Sequence, residues 1–255
     1  MTGETITRSF VIPVLDFSPH SRYNIRTLLQ DLGSIPGEVI CIFNSREAYT
    51  EMCGHERIDK FCFNNLNAGV SRSWNMGINL AEGRAVFILN ADLHILPAAI
   101  DKLEYYLFNL ENAVIVGPQG SHLNFQKLQL IQYFQKGQFN HPIRTHDVSG
   151  FFFGIHRERF LDQKLRYDVR YSPCFMEEWD MGLQVIQAGL NCYAVPVTEF
   201  EHDWGISQTQ ENAKINYFGR DVLRNDVLQE NQKKFIKKWF NPKKTAEQYN
   251  VMSYK

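Results

Sequence analysis

Two oxygen-bearing side chains, Asn90 and Asp92, stand two residues apart just past a short apolar run, Ala85 to Leu89. Such a pair can offer ligands to a divalent cation that holds phosphates. In open α/β sheets, ligands gather at the carboxyl ends of strands, which is where this pair would sit. Upstream, Asn67 and Gly69 lead into a helical pattern from about Ser71 to Glu82 that closes on Gly83. Arg72 falls in its first turn, and a helix N-terminus beside a guanidinium suits a diphosphate. Farther on, Glu177, Glu178 and Asp180 open another helical segment. There the macrodipole favours ionised acids, so a carboxylate base is expected to be charged at neutral pH.

The elements that must position these groups alternate in type. Phe10 to Leu15 reads as an apolar strand, with Pro13 suiting a strand end or edge. Ile25, Leu28, Leu29 and Leu32 follow helical spacing up to Gly33. Strands are predicted at Glu38–Phe43, Phe61–Phe63 and Ala85–Leu89. Strands alternating with helices predict a Rossmann-like, mostly parallel central sheet flanked by helices, with right-handed crossovers. Neither a G-x-G-x-x-G nor a G-x-x-x-x-G-K-[ST] run is present, so a dinucleotide fingerprint and a P-loop are both excluded. Beyond Asp92, Pro97–Leu110 reads as a helix and Ala113–Val116 as a strand. The stretch 120–147 reads as irregular and substrate-covering. Val148–Ile155 reads as a strand, Glu177–Ala188 as a helix and Cys192–Val195 as a strand. The tail from about 208 to 240 is expected to be mostly helical.

At 255 residues, with 44% hydrophobic and 22% charged residues, the chain suits a sizeable α/β core rather than a disordered segment. A net charge of -1 provides no global field for nucleic acid, so none is expected as a partner. The five cysteines lack C-x-x-C spacing, which argues against a zinc site or disulfide framework and favours a cytoplasmic setting. No apolar run reaches the roughly 18 residues that a spanning helix needs.

The order Val-Ile-Pro-Val, N-x-G with a later N-x-G, Leu-Asn-x-Asp, Gly-Phe-Phe-Phe, Glu-Glu-x-Asp and a late His resembles family 2 of the glycosyltransferases. Its rhamnosyltransferase-like branch is the nearest. The likeness runs from about Phe10 to Ser207 and implies an inverting enzyme with the GT-A fold. A catalytic domain over 1–207 is expected, its nucleotide-sugar half at about 1–97 and its acceptor half at about 98–207. A helical extension over 208–255 would follow.

The resemblance implies that Asp92, with Asn90 and His202, holds Mn²⁺ or Mg²⁺ on the donor diphosphate. A mixed carboxylate–imidazole set leans toward manganese. It assigns the general base to Glu178, ahead of Asp180 and Glu177, although the family more often has Asp at that position. Donor contacts map to Pro13, Leu15, Asp16, Asn44, Asn67, Gly69, Arg72, Asn90 and Ala91. Acceptor contacts map to Ser149 and Gly150, with Trp179 and Trp204 as aromatic faces for a sugar ring. His94 reads as a bystander. The implied reaction moves a sugar from a nucleotide-sugar to a glycan or lipid-linked glycan in surface polysaccharide synthesis.

Lysines interleaved with apolar residues over 233–244 read either as a helix packed on the core or as a peripheral contact with the inner face of a membrane. Two rival functions remain open. A sugar-nucleotidyltransferase would want a Gly-rich basic loop after the first strand, where Leu15 to Arg22 holds one Arg and no Gly. A degenerate domain that binds a glycan or a partner is kept alive by Asn44, Asn90 and Glu178.

Overall fold

The structure, a computed structural model, describes residues 7–16, 21–203 and 213–240. In chain order the first half comprises β1 (Arg8–Val14), α1 (Ile25–Leu32), β2 (Glu38–Phe43), α2 (Arg46–Met52), β3 (Lys60–Phe63), α3 (Val70–Leu80), β4 (Ala85–Leu89), β5 (Leu93–Ile95) and α4 (Pro97–Asn109). The second half continues with β6 (Ala113–Gly117), β7 (Gly120–Asn124), β8 (Gln129–Phe134), β9 (Ile143–Thr145), β10 (Asp147–Val148), β11 (Phe152–His156) and α5 (Arg157–Asp162). A single 3-10 turn, Val169–Tyr171, leads to α6 (Glu177–Gln187), β12 (Asn191–Ala194), β13 (Phe200–His202), β14 (Lys214–Tyr217), β15 (Arg220–Leu223) and α7 (Arg224–Trp239).

Eight strands form the central sheet in the order β3-β2-β1-β4-β11-β6-β12-β9. The first four run parallel, as the alternation of strands and helices predicts. The strand β11 enters antiparallel between β4 and β6. Every residue of β2 and β4 is buried, as expected of strands covered on both faces. The helix α1 starts at a capping box on Asn24 and buries Ile25, Leu28, Leu29 and Leu32, the stripe its spacing dictates. Going from β1 the chain adds β2 and β3 on one side, then returns to place β4 on the other. That reversal opens a crevice between the carboxyl ends of β1 and β4, where a doubly wound sheet binds its ligands. Pro13 lies past Val11, the last β1 residue paired with β4, so its missing N–H costs that ladder nothing.

Three segments differ from the sequence expectation. The stretch 120–147 is ordered β-structure, with β7 and β8 forming an antiparallel hairpin and β10 pairing with β7. Most of β8 is exposed and its polar residues mask the period-2 signal. Among the described residues of the tail, the helix starts at Arg224, with β14 and β15 before it as a hairpin. Its two-residue turn, Phe218-Gly219, has positive φ at both positions (48° and 74°), the twist-matched form for tight hairpins. The expected strand 148–155 is split, because 149–151 leave the ladder between β10 and β11.

Candidate functional site

The side of the crevice expected to hold a cation is built from two strand ends. The carboxyl end of β4 delivers Asn90, Ala91 and Asp92, all half-buried. Antiparallel pairing of β13 with β5 sets His202 opposite Leu93, next to Asp92. The His202 Nε2 lies 3.1 Å from Asp92 Oδ1, and the Asp203 N–H donates to the Asp92 carbonyl at 3.1 Å. The imidazole stacks on Phe151 with ring centres 4.5 Å apart and planes 9° apart. His94 instead meets Asp31 Oδ2 at 2.9 Å and stacks on Tyr23, away from this pair.

The acids expected to supply a base come from the start of α6. Phe175 and Met176, just before it, have φ of 76° and 74°, a left-handed backbone costing about 1–2 kcal/mol per residue. That bend aims Glu177 and Glu178 inward. Burial pushes Glu178 up to about 7, against its own amide and the Gly150 N–H, which hydrogen-bond the carboxylate, with Asp147 adding to the rise. The expectation of an acid fully charged at neutral pH is thereby corrected: desolvation outweighs the helix dipole. Glu177, pushed well above the ordinary range by burial and then by Glu178, is the carboxyl of the two that keeps its proton. Asp180 is fully buried and accepts from Gln184 at 2.7 Å, Tyr171 at 3.2 Å, Trp239 Nε1 at 2.7 Å and Lys238 at 2.8 Å. Its lone pairs are committed to holding α7.

The segment 149–151 joins the two sides. The Asn90 N–H donates to the Phe151 carbonyl at 2.8 Å, while the Phe151 ring carries His202. One residue back, Gly150 meets Glu178 so closely that a Cβ there would lie 2.5 Å from Glu178 Oε1 and 2.7 Å from Trp74 Cη2. Ser149 Oγ is 2.9 Å from the Tyr133 hydroxyl, which donates to Gln119 Oε1 at 2.6 Å. Three consecutive residues thus tie an acid–imidazole pair to a carboxylate poised near neutrality.

Comparison with known protein families reaches the Asn90–Asp92 end of this crevice and stops short of Glu178 and His202. Residues 39–162 match the model described as glycosyl transferase family 2. They form a family 2 glycosyltransferase domain. The match names the family and no branch of it. Among solved structures the chain resembles GalNAc-T7, crystallised with UDP, GalNAc and Mn2+, at 12% identity and a TM-score of 0.67. That likeness covers 94% of this chain and 49% of that one. It also resembles S. aureus TarS 1-349 in complex with UDP, at 11% identity and a TM-score of 0.53, over 76% of this chain and 59% of that one. The chain therefore spans about half to three-fifths of these structures, and the likeness is one of fold, the GT-A arrangement of a large mixed sheet between helices. No curated protein sequence matches it.

The remaining residues expected at the donor divide by what they touch. Leu15 and Asp16 are exposed at the end of β1, on the rim of the crevice. Asn44 is buried, donates to Ser73 Oγ at 2.9 Å and accepts from Asn64 and the Ala68 N–H, so its amide already binds β2 to the start of α3. Asn67 accepts from the Gly69 N–H and donates to the Asn216 carbonyl, fastening the β14–β15 hairpin. Gly69, at φ 85°, packs on Ser172 and Pro173. Arg72 donates to Ala68, Ser172 and Tyr217.

On the acceptor side, Trp179 sits half-buried with its ring edge-on to Phe125 and Phe235. Trp204 lies outside the described residues. Trp74, Tyr133 and Asp147 border Glu178 without having been legible as site residues. Trp74 carries no polar pattern, and the other two fall in the stretch read as irregular. Of the apolar residues expected at a membrane contact over 233–244, Phe235 and Trp239 are buried in the core while Ile236 is exposed; Lys243 and Lys244 lie outside the described residues. Among the described residues no helix is long and apolar enough to cross a membrane.

No group of three or more His, Cys, Asp or Glu is arranged as a complete metal cage among the described residues. The Asp92–His202 pair still fits a divalent ion. One hard oxygen and one imidazole converge at the crevice, and cations that act on phosphates commonly take one or two protein ligands and fill the rest from substrate and water.

Proposed function

We propose that this protein is an inverting glycosyltransferase that moves a sugar from a nucleotide-sugar donor to a glycan hydroxyl with the help of a divalent cation. One observation carries the reading: residues 149–151 hold Glu178 on one side and, through Phe151, the Asp92–His202 pair on the other. An inverting transfer needs such an arrangement, with a base for the incoming hydroxyl and a cationic grip on the departing diphosphate across the sugar. GalNAc-T7 and TarS, the two similar structures, were both solved with UDP, which supports a nucleoside diphosphate as leaving group.

In this reading Glu178 takes the acceptor's proton as its oxygen attacks the anomeric carbon. A base whose pKa lies near the working pH balances availability against driving force. The Gly150 N–H orients the carboxylate, and neutral Glu177 behind it adds no second negative charge. Asp92 and His202, with Asn90 beside them, would hold the ion, which supplies Lewis-acid stabilisation of the leaving diphosphate when bound. Leu15 and Asp16 border the nucleoside, and Tyr133, Ser149 and Trp74 border the acceptor. A panel of nucleotide-sugars incubated with Mn²⁺ and glycan acceptors tests the proposal, with the product's anomeric configuration read by NMR. One donor should give a product of inverted configuration; retention of configuration would refute it.

A further inference from the structure

A cavity of about 670 Å³ opens where the first turn of α3, the 169–172 turn, the β14–β15 hairpin and α7 meet. None of Asn90, Asp92, His202 or Glu178 lines it. Five cationic side chains do: Arg72, Arg170, Lys234, Lys237 and Lys238. Two carboxylates answer them among the described residues. Asp168 pairs with Arg170 and with Lys238, and Asp180 also takes Lys238. Burial alone would push Asp168 up, but hydrogen bonds from Arg170 and Lys238 outweigh it and hold that carboxyl well below the ordinary range. Arg72, Lys234 and Lys237 have no carboxylate within salt-bridge distance among the described residues.

The polar groups of the cavity are set as donors. Arg72 donates through one guanidinium nitrogen to Ser172 Oγ at 2.9 Å and to the Tyr217 hydroxyl at 2.8 Å, while its plane stands over Phe218. Both hydroxyls therefore accept from Arg72, which leaves their own hydrogens to donate elsewhere. On α7, Lys234, Lys237 and Lys238 share one face by helical spacing, while Val227, Asn231, Phe235 and Trp239 are buried. Arginine, lysines and hydroxyl donors around one cavity describe a phosphoryl site. Its wall at Ser172 runs directly into the loop that delivers Glu178.

We propose that this cavity binds a phosphoryl group carried by the acceptor, whether a soluble sugar phosphate or a lipid-linked phosphate. The acceptor assignment rests on the glycosyltransferase reading above; the phosphoryl site does not.

The test is calorimetric titration of inorganic pyrophosphate into the full chain and into Lys237→Glu and Lys237→Ala. Lys237 is exposed, so neither change disturbs packing. Pyrophosphate should bind the parent, about tenfold more weakly Lys237→Ala, and more weakly still Lys237→Glu. UDP with Mn²⁺ should bind all three equally and leave pyrophosphate binding at the cavity intact. Vesicles containing phosphatidylglycerol that bind the parent and are lost in the same variants would assign the lipid-linked source. Pyrophosphate binding without vesicle binding would assign the soluble one. Pyrophosphate affinity unchanged in both variants, or abolished by UDP with Mn²⁺, overturns the proposal. Failure of UDP to bind, with the pyrophosphate response intact, would instead remove the transferase reading and leave the phosphoryl site standing.

Discussion

Asp92 and His202 are 110 residues apart in sequence and in hydrogen-bonding contact in the fold. Replacing Asp92 with Ala removes the only carboxylate of the pair and leaves the imidazole facing the crevice. UDP affinity measured with Mn²⁺ should fall by more than the 10- to 100-fold typical of losing a ligand's supporting partner, while affinity without the ion changes little. Isothermal titration with and without Mn²⁺ reads both. The polar pair after β4 was legible because a short apolar run ending in Asn-x-Asp has few other uses. The environment of Glu178 was not, because the dipole of α6 is a local property and burial is not. Its roof of Gly150, Trp74 and Tyr133 arrives from three separate segments.

The element that fastens the segment carrying the proposed base is α7. Asn231, almost wholly buried, donates to the carbonyls of Tyr171, Cys174 and Phe175 at 2.6, 2.8 and 3.2 Å, and so clamps the loop that enters α6. Trp239 and Lys238 grip Asp180 in the first turn of α6. Asn231→Ala leaves those buried carbonyls without their donor and should cost about 2–4 kcal/mol. For a chain of this size that lowers the melting temperature by roughly 5–10 °C. Turnover should fall while the UDP affinity stays, since the donor side of the crevice is untouched. Calorimetric melting and steady-state kinetics check the two halves. The helix itself was readable in the spacing of Phe235 and Trp239. Its partner was not, because Asp180 looked like a catalytic acid in sequence and proves in the fold to be the anchor of α7. The hairpins at 120–134 and 214–223 were missed for a related reason: exposed strands carry polar residues on the face that would otherwise reveal them.

For the whole chain, burying the proposed base comes at the expense of stability. Folding raises Glu178 from an ordinary 4.5 to about 7, so the folded state favours the protonated form. Its stabilising contribution is complete below about pH 4.5 and is lost as pH climbs through 7. Between pH 6 and 8 the parent should lose about 1 kcal/mol relative to Glu178→Gln, a difference of roughly 2–4 °C in melting temperature. Taking the difference cancels the opposite trend of His146, whose burial lowers it to about 4. Parallel melting curves for the two proteins across that range would contradict this. The parallel half of the sheet, with its crevice between β1 and β4, followed from alternating strands and helices. The antiparallel insertion of β11 did not, because a strand buried along its whole length reads the same in either direction.

The proposed transfer needs Glu178 as base in the same crevice where Asp92 and His202 would grip the donor. The most direct check is the single-turnover rate of sugar transfer against pH, in the parent and in Glu178→Gln. The parent's rate should rise tenfold per pH unit and level off with a midpoint near 7. The variant should be slower by about 10²–10⁴, flat with pH, and unchanged in UDP affinity. A variant that transfers sugar at the parent's rate, or with the parent's pH profile, would contradict it.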